Sequence, residues 1–295
     1  MASSSSAESA CKCHIRSVSL PSRSHPTARL IDDVLHRLKH PNTEKTSSFE
    51  SISSGLARLE DLYLCVTDLL DMASTQQILR RQVGYTTALL DSSVLLLDVC
   101  GIARDLISLV KECVQLLQLT LRRRKGDPSM KAGIHDYMNF RNKARKDAKR
   151  LNSALNQIKN RATVPSEPDQ DPESSTVTRV LIEVNEISTS VFQSVLHPFT
   201  SQVSGIKQSR WSSISKLMRK GEITCEEKRG SLDELACIDA AIHFLSKCGS
   251  EDSEATKIQL QDAENGINGL EIALESMFRQ LIRSRASLLN ITSPQ

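Results

Sequence analysis

The residues near the start of this chain have types and spacing that could carry chemistry. Cys11, Cys13 and His14 form a Cys-Lys-Cys-His cluster, which offers three soft ligands to zinc. A zinc finger needs a second Cys or His pair at finger spacing, and the sequence holds none. Reversible acylation of the two thiols, or their simple exposure, is therefore the stronger prediction. We predict no bound metal and no cofactor.

A short phosphorylation motif follows this cluster. Residues 16–21 read Arg-Ser-Val-Ser-Leu-Pro, and 14-3-3 proteins bind Arg-Ser-x-Ser-x-Pro once its second serine is phosphorylated. Phosphorylation of Ser19 would add about −1.5 to −2 charges and three acceptor oxygens for an arginine cluster. In the alternative interpretation, Leu20 and Pro21 pack on the helices and the segment caps the bundle. The motif residues are Arg16, Ser17, Ser19 and Pro21.

No catalytic constellation is visible elsewhere in the sequence. Asp33 and His36 form a single Asp-x-x-His pair, whereas a carboxylate-bridged di-iron bundle needs two Glu-x-x-His helices. His243 follows Asp239 by one helical turn, a spacing typical of an ordinary side-chain hydrogen bond. With only 11 Gly, the chain has no glycine-rich phosphate loop. We predict that it is not an enzyme; a buried cluster of His197, His243 or paired carboxylates would change that interpretation.

Positive charge is concentrated in one part of the chain. The whole chain has a net charge of +3. Residues 121–161 contain 13 Lys or Arg and 3 Asp, a local charge of +10 that leaves −7 for the rest. We call the following residues the basic patch: Arg122, Arg123, Arg124, Lys125, Arg141, Lys143, Arg145, Lys146, Lys149 and Arg150.

The basic patch has two interpretations. It is either a solvated surface or a surface that attracts the inner leaflet of a membrane, RNA or an acidic protein. Tyr137 and Phe140 are the aromatic residues beside it, so bases would find few side chains on which to stack. We therefore expect no sequence-specific nucleic-acid partner. Residues 122–125 also resemble a short nuclear-import signal.

Composition favours an all-α fold with an aliphatic core. Aromatic residues make up only 3% of the chain, which favours helix packing over a β-sandwich. The most apolar region, residues 88–119, contains six charged residues, so a membrane-spanning helix is not expected. The first 30 residues are Ser-rich and contain one acid, Glu8, which is also typical of a transit peptide. A cytoplasmic or nuclear location is preferred, and the cysteines are expected to be reduced.

Apolar periodicity predicts the helices that must position these groups. Ser47 and Glu50 form a capping-box pattern ahead of an amphipathic helix, and a shorter helix precedes it between Pro26 and Pro41. From about residue 85 to 121, one helix carries two neighbouring heptad seams, which indicates burial among several helices. The first seam is Leu96, Cys100, Ala103, Ile107, Val110, Val114, Leu117 and Leu121. The second seam is Leu95, Val99, Ile102, Leu106, Leu109, Cys113 and Leu116.

The second half of the chain continues this pattern. Pro128 opens a helix with a basic outer side, and Pro198 is expected to end or kink a later helix at His197. Helix is also expected at 211–217 and 232–245. In the last helix, one seam either closes the core, which we prefer, or pairs with another chain as a coiled coil. That seam is Leu260, Ala263, Ile267, Leu270, Leu274, Met277, Leu281 and Leu288, broken only by Ser284.

These elements predict an elongated antiparallel multi-helix bundle. Residues 1–25 are expected to form a disordered Ser-rich tail, and residues 26–290 the bundle. Residues 162–176 hold three prolines among Ser, Glu and Asp, which indicates a flexible linker.

Four segments carry a resemblance to a known family. They are His-Ile-Arg-Ser-Val-Ser-Leu-Pro-Ser-Arg-Ser-His-Pro at 14–26, Leu-Asp-Val-Cys-Gly-Ile-Ala-Arg-Asp at 97–105, Ser-Lys-Leu-Met at 215–218 and Leu-Ile-Arg-Ser-Arg-Ala-Ser-Leu-Leu-Asn at 281–290. With these segments the chain resembles a plant-specific domain-of-unknown-function family related to the BYPASS proteins. The resemblance implies a helical, non-catalytic protein connected with root and shoot development.

Three functions are consistent with these sequence features. We prefer a non-catalytic helical scaffold or regulatory interaction protein, because the apolar residues lie mainly in packing seams. The alternative is a peripheral membrane protein that uses the basic patch together with Cys11 and Cys13 as two weak anchors. A helical enzyme with an unrecognised pocket is the third.

Overall fold

A computed structural model describes Ile31, Leu35, His36 and residues 48–122, 128–161, 172–200, 234–248 and 253–293. Helix occupies nearly all of these ranges and no strand occurs in them, which confirms the all-α prediction. The predicted tail at 1–25 and the predicted helix at 211–217 lie outside the described residues. The helices are α1 Phe49–Asp71, α2 Ala73–Arg81, α3 Val83–Arg122, α4 Pro128–Arg161, α5 Pro172–Thr200, α6 Glu234–Cys248 and α7 Ser253–Thr292.

The two longest helices, α3 and α7, run antiparallel along the bundle. Near the start of α3, Arg285 Nη1 donates to Ser93 Oγ at 2.7 Å. At the other end, Gln115 Nε2 donates to Glu264 Oε1 at 2.9 Å. Each helix has 40 residues, so the pair is about 60 Å long. This pair forms the spine of the bundle, and α1 packs beside α7.

The relative direction of α1 and α7 follows from two close contacts. An added Cβ at Gly266 would lie 3.2 Å from Phe49 Cβ at the start of α1. Further along both helices, Gln280 Nε2 donates to Thr67 Oγ1 at 3.2 Å. Residue numbers thus increase together in the two helices, which therefore run parallel. The absence of a side chain at Gly266 allows this close approach at the start of α1.

The first seam of α3 lies wholly in the core, as predicted. All eight of its residues are buried, and α3 packs against α2, α4, α5 and α7. The second seam is only partly covered. Val99 and Leu106 are buried, but Leu109 is 43% exposed and Leu116 is 47% exposed. The expectation that both seams are buried is therefore wrong for the second half of α3, because its neighbours there leave one side of the helix open.

The seam of α7 closes the core. All of its apolar residues are buried, from Leu260 to Leu288, and Ser284 is buried among them. Both α1 and α3 pack on this side of α7. The preferred interpretation of the seam, as core rather than as a surface for another chain, is confirmed.

The start of α1 is capped differently from the prediction. Ser48, not Ser47, is the N-cap, and its Oγ accepts from Ser51 N at 3.2 Å. Glu50 is exposed, and the carboxylate that binds the free backbone amide belongs to α6. Phe49 N donates to both carboxylate oxygens of Glu234, at 3.0 and 2.9 Å. A carboxylate suits this position because the first amides of a helix have no intrahelical partner and carry partial positive charge.

Two prolines set the limits of α5. The helix begins at Pro172, inside the segment predicted as a linker, because proline fits the first turn of a helix, where its missing N–H costs no bond. Pro198 does not end the helix at His197, which was one of the two predicted effects; it lies within the last turn, and the helix ends at Thr200. Thr200 Oγ1 donates to His197 O at 2.8 Å, which satisfies a carbonyl at the helix end.

Candidate functional site

Helix α4 is the candidate site because its two sides differ sharply in chemistry. Its inward side is apolar and buried, with Tyr137 and a series of aliphatic residues. Since a helix repeats every 3.6 residues, that seam turns the residues between its members outward. The buried aliphatic residues are Ala144, Ala148, Leu151, Leu155 and Ile158.

The outward side of α4 carries an exposed group of cations, which we call the basic face: Lys143, Lys146, Lys149 and Arg150. Within the described residues, the ion pairs include none to Lys143, Lys146 or Lys149. Arg150 Nη2 lies 3.7 Å from Asp147 Oδ1, and the arginine side chain is 71% exposed. A pair of this kind is worth little in water. The basic face is thus largely uncompensated by its own helix.

The other members of the predicted basic patch occupy different positions. Arg145 is half-buried at the edge of the basic face, and Arg122 is exposed at the end of α3. Arg123, Arg124 and Lys125 lie outside the described residues, as do Arg16, Ser17, Ser19 and Pro21 of the phosphorylation motif. Cys11 and Cys13 also lie outside them.

Arg141 departs from the predicted patch because it points into the bundle. Its side chain is 1% exposed, and it makes a bidentate ion pair with Asp239 of α6. Arg141 Nε donates to Asp239 Oδ1 at 2.9 Å, and Arg141 Nη2 donates to Oδ2 at 2.7 Å. Arg141 falls four residues after Tyr137 and three before Ala144, which is the spacing of the inward seam. Its phase along the helix, rather than its charge, indicates where it lies.

Tyr137 completes this buried cluster. Its hydroxyl donates to Asp239 Oδ1 at 2.6 Å. Burial, together with the neighbouring carboxylate, raises the pKa of Tyr137 well above its usual value, so the phenol stays protonated and keeps donating. Both oxygens of Asp239 therefore bind groups on α4, at a site where an isolated carboxylate would be costly to bury. The Tyr137–Arg141–Asp239 cluster fastens α6 to α4.

Two histidines were named as possible members of a buried catalytic cluster. His197 is exposed, and His243 is half-buried one turn beyond Asp239, so the two do not form a fully buried pair. In the part of the chain that the structure describes, no group of three His, Cys, Asp or Glu side chains could hold a metal ion. None of the described helices is both long and apolar enough to cross a bilayer. Helix α4 exposes positive charge on one side and packs against the core with the other.

Comparison with known proteins gives a family match that covers most of the helical chain. The family model described as Protein BPS1 matches residues 55–291, a range that runs from the first turns of α1 almost to the end of α7. The chain belongs to the BPS1 family. This confirms the resemblance to the BYPASS-related plant family. Membership of the BPS1 family suggests a role in plant development. No curated protein and no solved structure matches the chain.

The family match covers one of the two candidate regions and not the other. All of α4, with its basic face and the Tyr137–Arg141–Asp239 cluster, falls inside the BPS1 range. The motif at 16–21 falls outside it, so the match adds no support to phosphorylation of Ser19. The part of this BPS1-family chain that the structure describes thus offers α4 as its strongest candidate surface.

Proposed function

We propose that this BPS1-family chain is a non-catalytic helical scaffold or regulatory interaction protein of root and shoot development, and that the basic face of α4 binds an acidic partner. The observation that carries the proposal is the exposure of Lys143, Lys146 and Lys149 on a helix whose opposite side is locked into the core. Two polar residues on the inward side of α4 take part in packing, since Tyr137 and Arg141 both bind Asp239.

The spacing of the lysines supports attraction to an extended acidic surface. They follow one another at three-residue intervals, so successive positions rise by about 4.5 Å along the helix. Along the helix axis, neighbouring lysines are separated by less than the Debye length of about 8 Å at physiological ionic strength, and their potentials therefore add. Because the remainder of the chain outside 121–161 carries −7, the protein as a whole is strongly polarised. An acidic partner would be steered toward α4.

A peripheral membrane protein is the second candidate function. Each Lys or Arg near an anionic membrane surface contributes about 1 kcal/mol of attraction. The four cations of the basic face would supply roughly 4 kcal/mol on that basis, which is weak for a sole anchor. Acylation of Cys11 or Cys13 would add the second signal that stable anchoring requires.

Charge-neutralising variants test the role of the basic face. Replacing Lys143, Lys146 and Lys149 by Gln should abolish salt-sensitive binding while leaving the helical circular dichroism spectrum unchanged, because exposed positions contribute little to stability. The probes are poly-L-glutamate, which stands for an acidic protein, and phosphatidylserine vesicles. The matched control removes three exposed cations from other helices through Arg81→Gln, Arg179→Gln and Arg283→Gln.

The two probes separate the two functions. Salt-sensitive binding to poly-L-glutamate that is lost only in the lysine variant supports the scaffold. Binding to vesicles alone favours the membrane function. If the wild-type chain binds neither probe at low salt, the basic face serves only solubility and both proposals fail.

A 14-3-3 protein is the partner proposed for the segment at 16–21. The support is the Arg-Ser-x-Ser-x-Pro spacing, in which Ser19 takes the phosphate. A peptide of residues 14–26 phosphorylated at Ser19 should bind a 14-3-3 protein, whereas the unphosphorylated peptide should not. Equal and negligible binding by both peptides would leave only the capping role for this segment.

A further inference from the structure

The open side of α3 carries a row of carboxylates. Asp91, Asp98, Asp105 and Glu112 are all exposed and follow one another at intervals of seven residues. Seven residues are close to two full turns, so the four side chains lie almost one above another. The row spans 21 residue intervals, which correspond to about 32 Å of helix. We call it the acidic row.

An apolar row runs beside the acidic row. Leu95, Ile102, Leu109 and Leu116 each follow an acidic residue by four positions, so each lies one turn from a carboxylate on the same side of the helix. The first two are half-buried; Leu109 is 43% exposed and Leu116 is 47% exposed. Leu109 and Leu116 are the most exposed members of the second seam, whereas Leu95 and Ile102 also pack against the core.

Cations of α3 do not neutralise the acidic row. Between Val83 and Leu121 the helix contains Arg104 and Lys111, and both reach toward α7. Arg104 forms an ion pair with Glu275 and lies over the ring of Phe278. Lys111 Nζ lies 2.6 Å from Glu271 Oε2. The open side of α3 thus keeps its negative charge beside half-exposed leucines.

We propose that the acidic row and the apolar row together form a docking surface for a basic amphipathic helix of a partner protein. A heptad apolar seam flanked by charges of one sign is the pattern by which helices select a partner of opposite sign. The fitting helix carries aliphatic residues at heptad spacing, flanked by Lys or Arg, over about three heptads. This surface is distinct from the basic face of α4, and its partner has the opposite charge.

Charge and shape select this occupant over others. An anionic membrane or a nucleic acid would be repelled by the four carboxylates of the acidic row. The basic face of α4 in a second copy would supply cations, but the described part of α4 exposes no large apolar side chain that would cover Leu109 and Leu116. A second copy that docks through another helix is an outcome of the test below. A helix that carries both features covers the two rows at once.

A synthetic helix tests the proposal on the full-length protein. The probe is a fluorescein-labelled 21-residue peptide with Leu at the two seam positions of each of three heptads and Lys beside them, a length of about 32 Å. A scrambled peptide of the same composition is the control. Fluorescence anisotropy measures binding to the wild type, to Asp98→Asn/Asp105→Asn and to Leu109→Gln/Leu116→Gln.

Helix α1 supplies matched control substitutions. Asp61 and Asp68 are exposed and also seven residues apart, and Leu64 is 45% exposed. Asp61→Asn/Asp68→Asn and Leu64→Gln therefore make the same chemical changes on another helix. They should leave peptide binding unchanged.

The expected result is saturable binding of the heptad peptide only. The Asp98→Asn/Asp105→Asn variant should weaken peptide binding about fivefold, which is the effect of losing two exposed charge pairs. The Leu109→Gln/Leu116→Gln variant should weaken peptide binding about tenfold. The proposal is overturned if the scrambled peptide binds equally, if the α1 variants weaken binding as much, or if the leucine variant has no effect. It is also overturned if sedimentation shows a wild-type dimer that Leu109→Gln/Leu116→Gln dissociates, because the occupant would then be a second copy.

Discussion

Replacing Asp239 by Ala should destabilise the chain more than any surface substitution on α4. The change removes the carboxylate that pairs with Arg141, at side-chain exposures of 4% and 1%, and that accepts from the Tyr137 hydroxyl. A guanidinium would remain buried in the bundle without that ion pair. Breaking a buried ion pair in this way costs about 3–5 kcal/mol. Since a whole domain is stable by roughly 5–15 kcal/mol, this single change should remove a large part of the total.

Two further variants show whether burial of charge is the cause. Asp147→Ala removes the partner of Arg150, an arginine that is 71% exposed, and should cost less than about 1 kcal/mol. In the second variant, Arg141→Met, Asp239→Leu and Tyr137→Phe are combined, so that the three polar groups of the cluster are removed together. This triple variant should regain most of the stability lost in Asp239→Ala, because apolar residues of similar volume often replace a buried ion pair at little cost.

Urea denaturation followed by far-ultraviolet circular dichroism measures these differences. The midpoint should fall strongly for Asp239→Ala and only slightly for Asp147→Ala, with similar slopes of free energy against urea. The reasoning is refuted if the two single variants lose the same stability. It is also refuted if the triple variant is less stable than Asp239→Ala.

Two predictions concern the packing of α3 and the contact between α1 and α7. Val110→Asp would bury an unpaired carboxylate at a fully buried position and should cost several kcal/mol, so a normal melting temperature would contradict the described core. Gly55→Ala should raise the melting temperature, because an added Cβ meets nothing within 4 Å and alanine is favoured over glycine in helices by about 0.5–1 kcal/mol. Gly266→Ala should gain less or lose stability, since its Cβ would lie 3.2 Å from Phe49 Cβ; an equal gain for both alanines would contradict the close contact.

Sequence periodicity predicted the apolar seams because burial repeats with the turn of the helix. The α7 seam from Leu260 to Leu288 and the first seam of α3 are buried at every apolar position. The same rule predicted burial of Leu109 and Leu116, which are about half exposed. Periodicity shows which residues share a side of a helix, but not whether another helix covers that side. Coverage depends on how the neighbouring helices pack.

No sequence pattern comparable to the apolar periodicity predicted the polar contacts between distant segments. Lys143, Lys146 and Lys149 were predicted on the outer side of α4 and are exposed there. Arg141 was grouped with them by charge, although its partner Asp239 lies 98 residues away. Likewise, nothing near residue 49 indicated that Glu234, 185 residues on, would cap α1. Such pairs are fixed by the folded arrangement of the helices rather than by local spacing.

The polar contacts between α3 and α7 explain how one register is selected. A heptad seam offers similar apolar packing if one helix slides by seven residues, so apolar residues alone specify register weakly. Such a slide would separate Arg104 from Glu275 and Lys111 from Glu271, both pairs at the edge of the seam. The hydrogen bond from Lys111 lowers the pKa of Glu271, which keeps that carboxylate ionised at neutral pH.

The register of α3 against α7 also bears on the two charged surfaces, the acidic row and the basic face. Helix α4 follows α3 and packs against it, so the acidic row on α3 and the basic face on α4 lie on two helices in direct contact. If both proposed surfaces bind, the chain would hold two partners of opposite charge on neighbouring helices without any chemical step. A change that disrupts the buried side of α3, such as Val110→Asp, should therefore weaken the binding of both poly-L-glutamate and the heptad peptide. A variant at Lys146 should affect only the basic face.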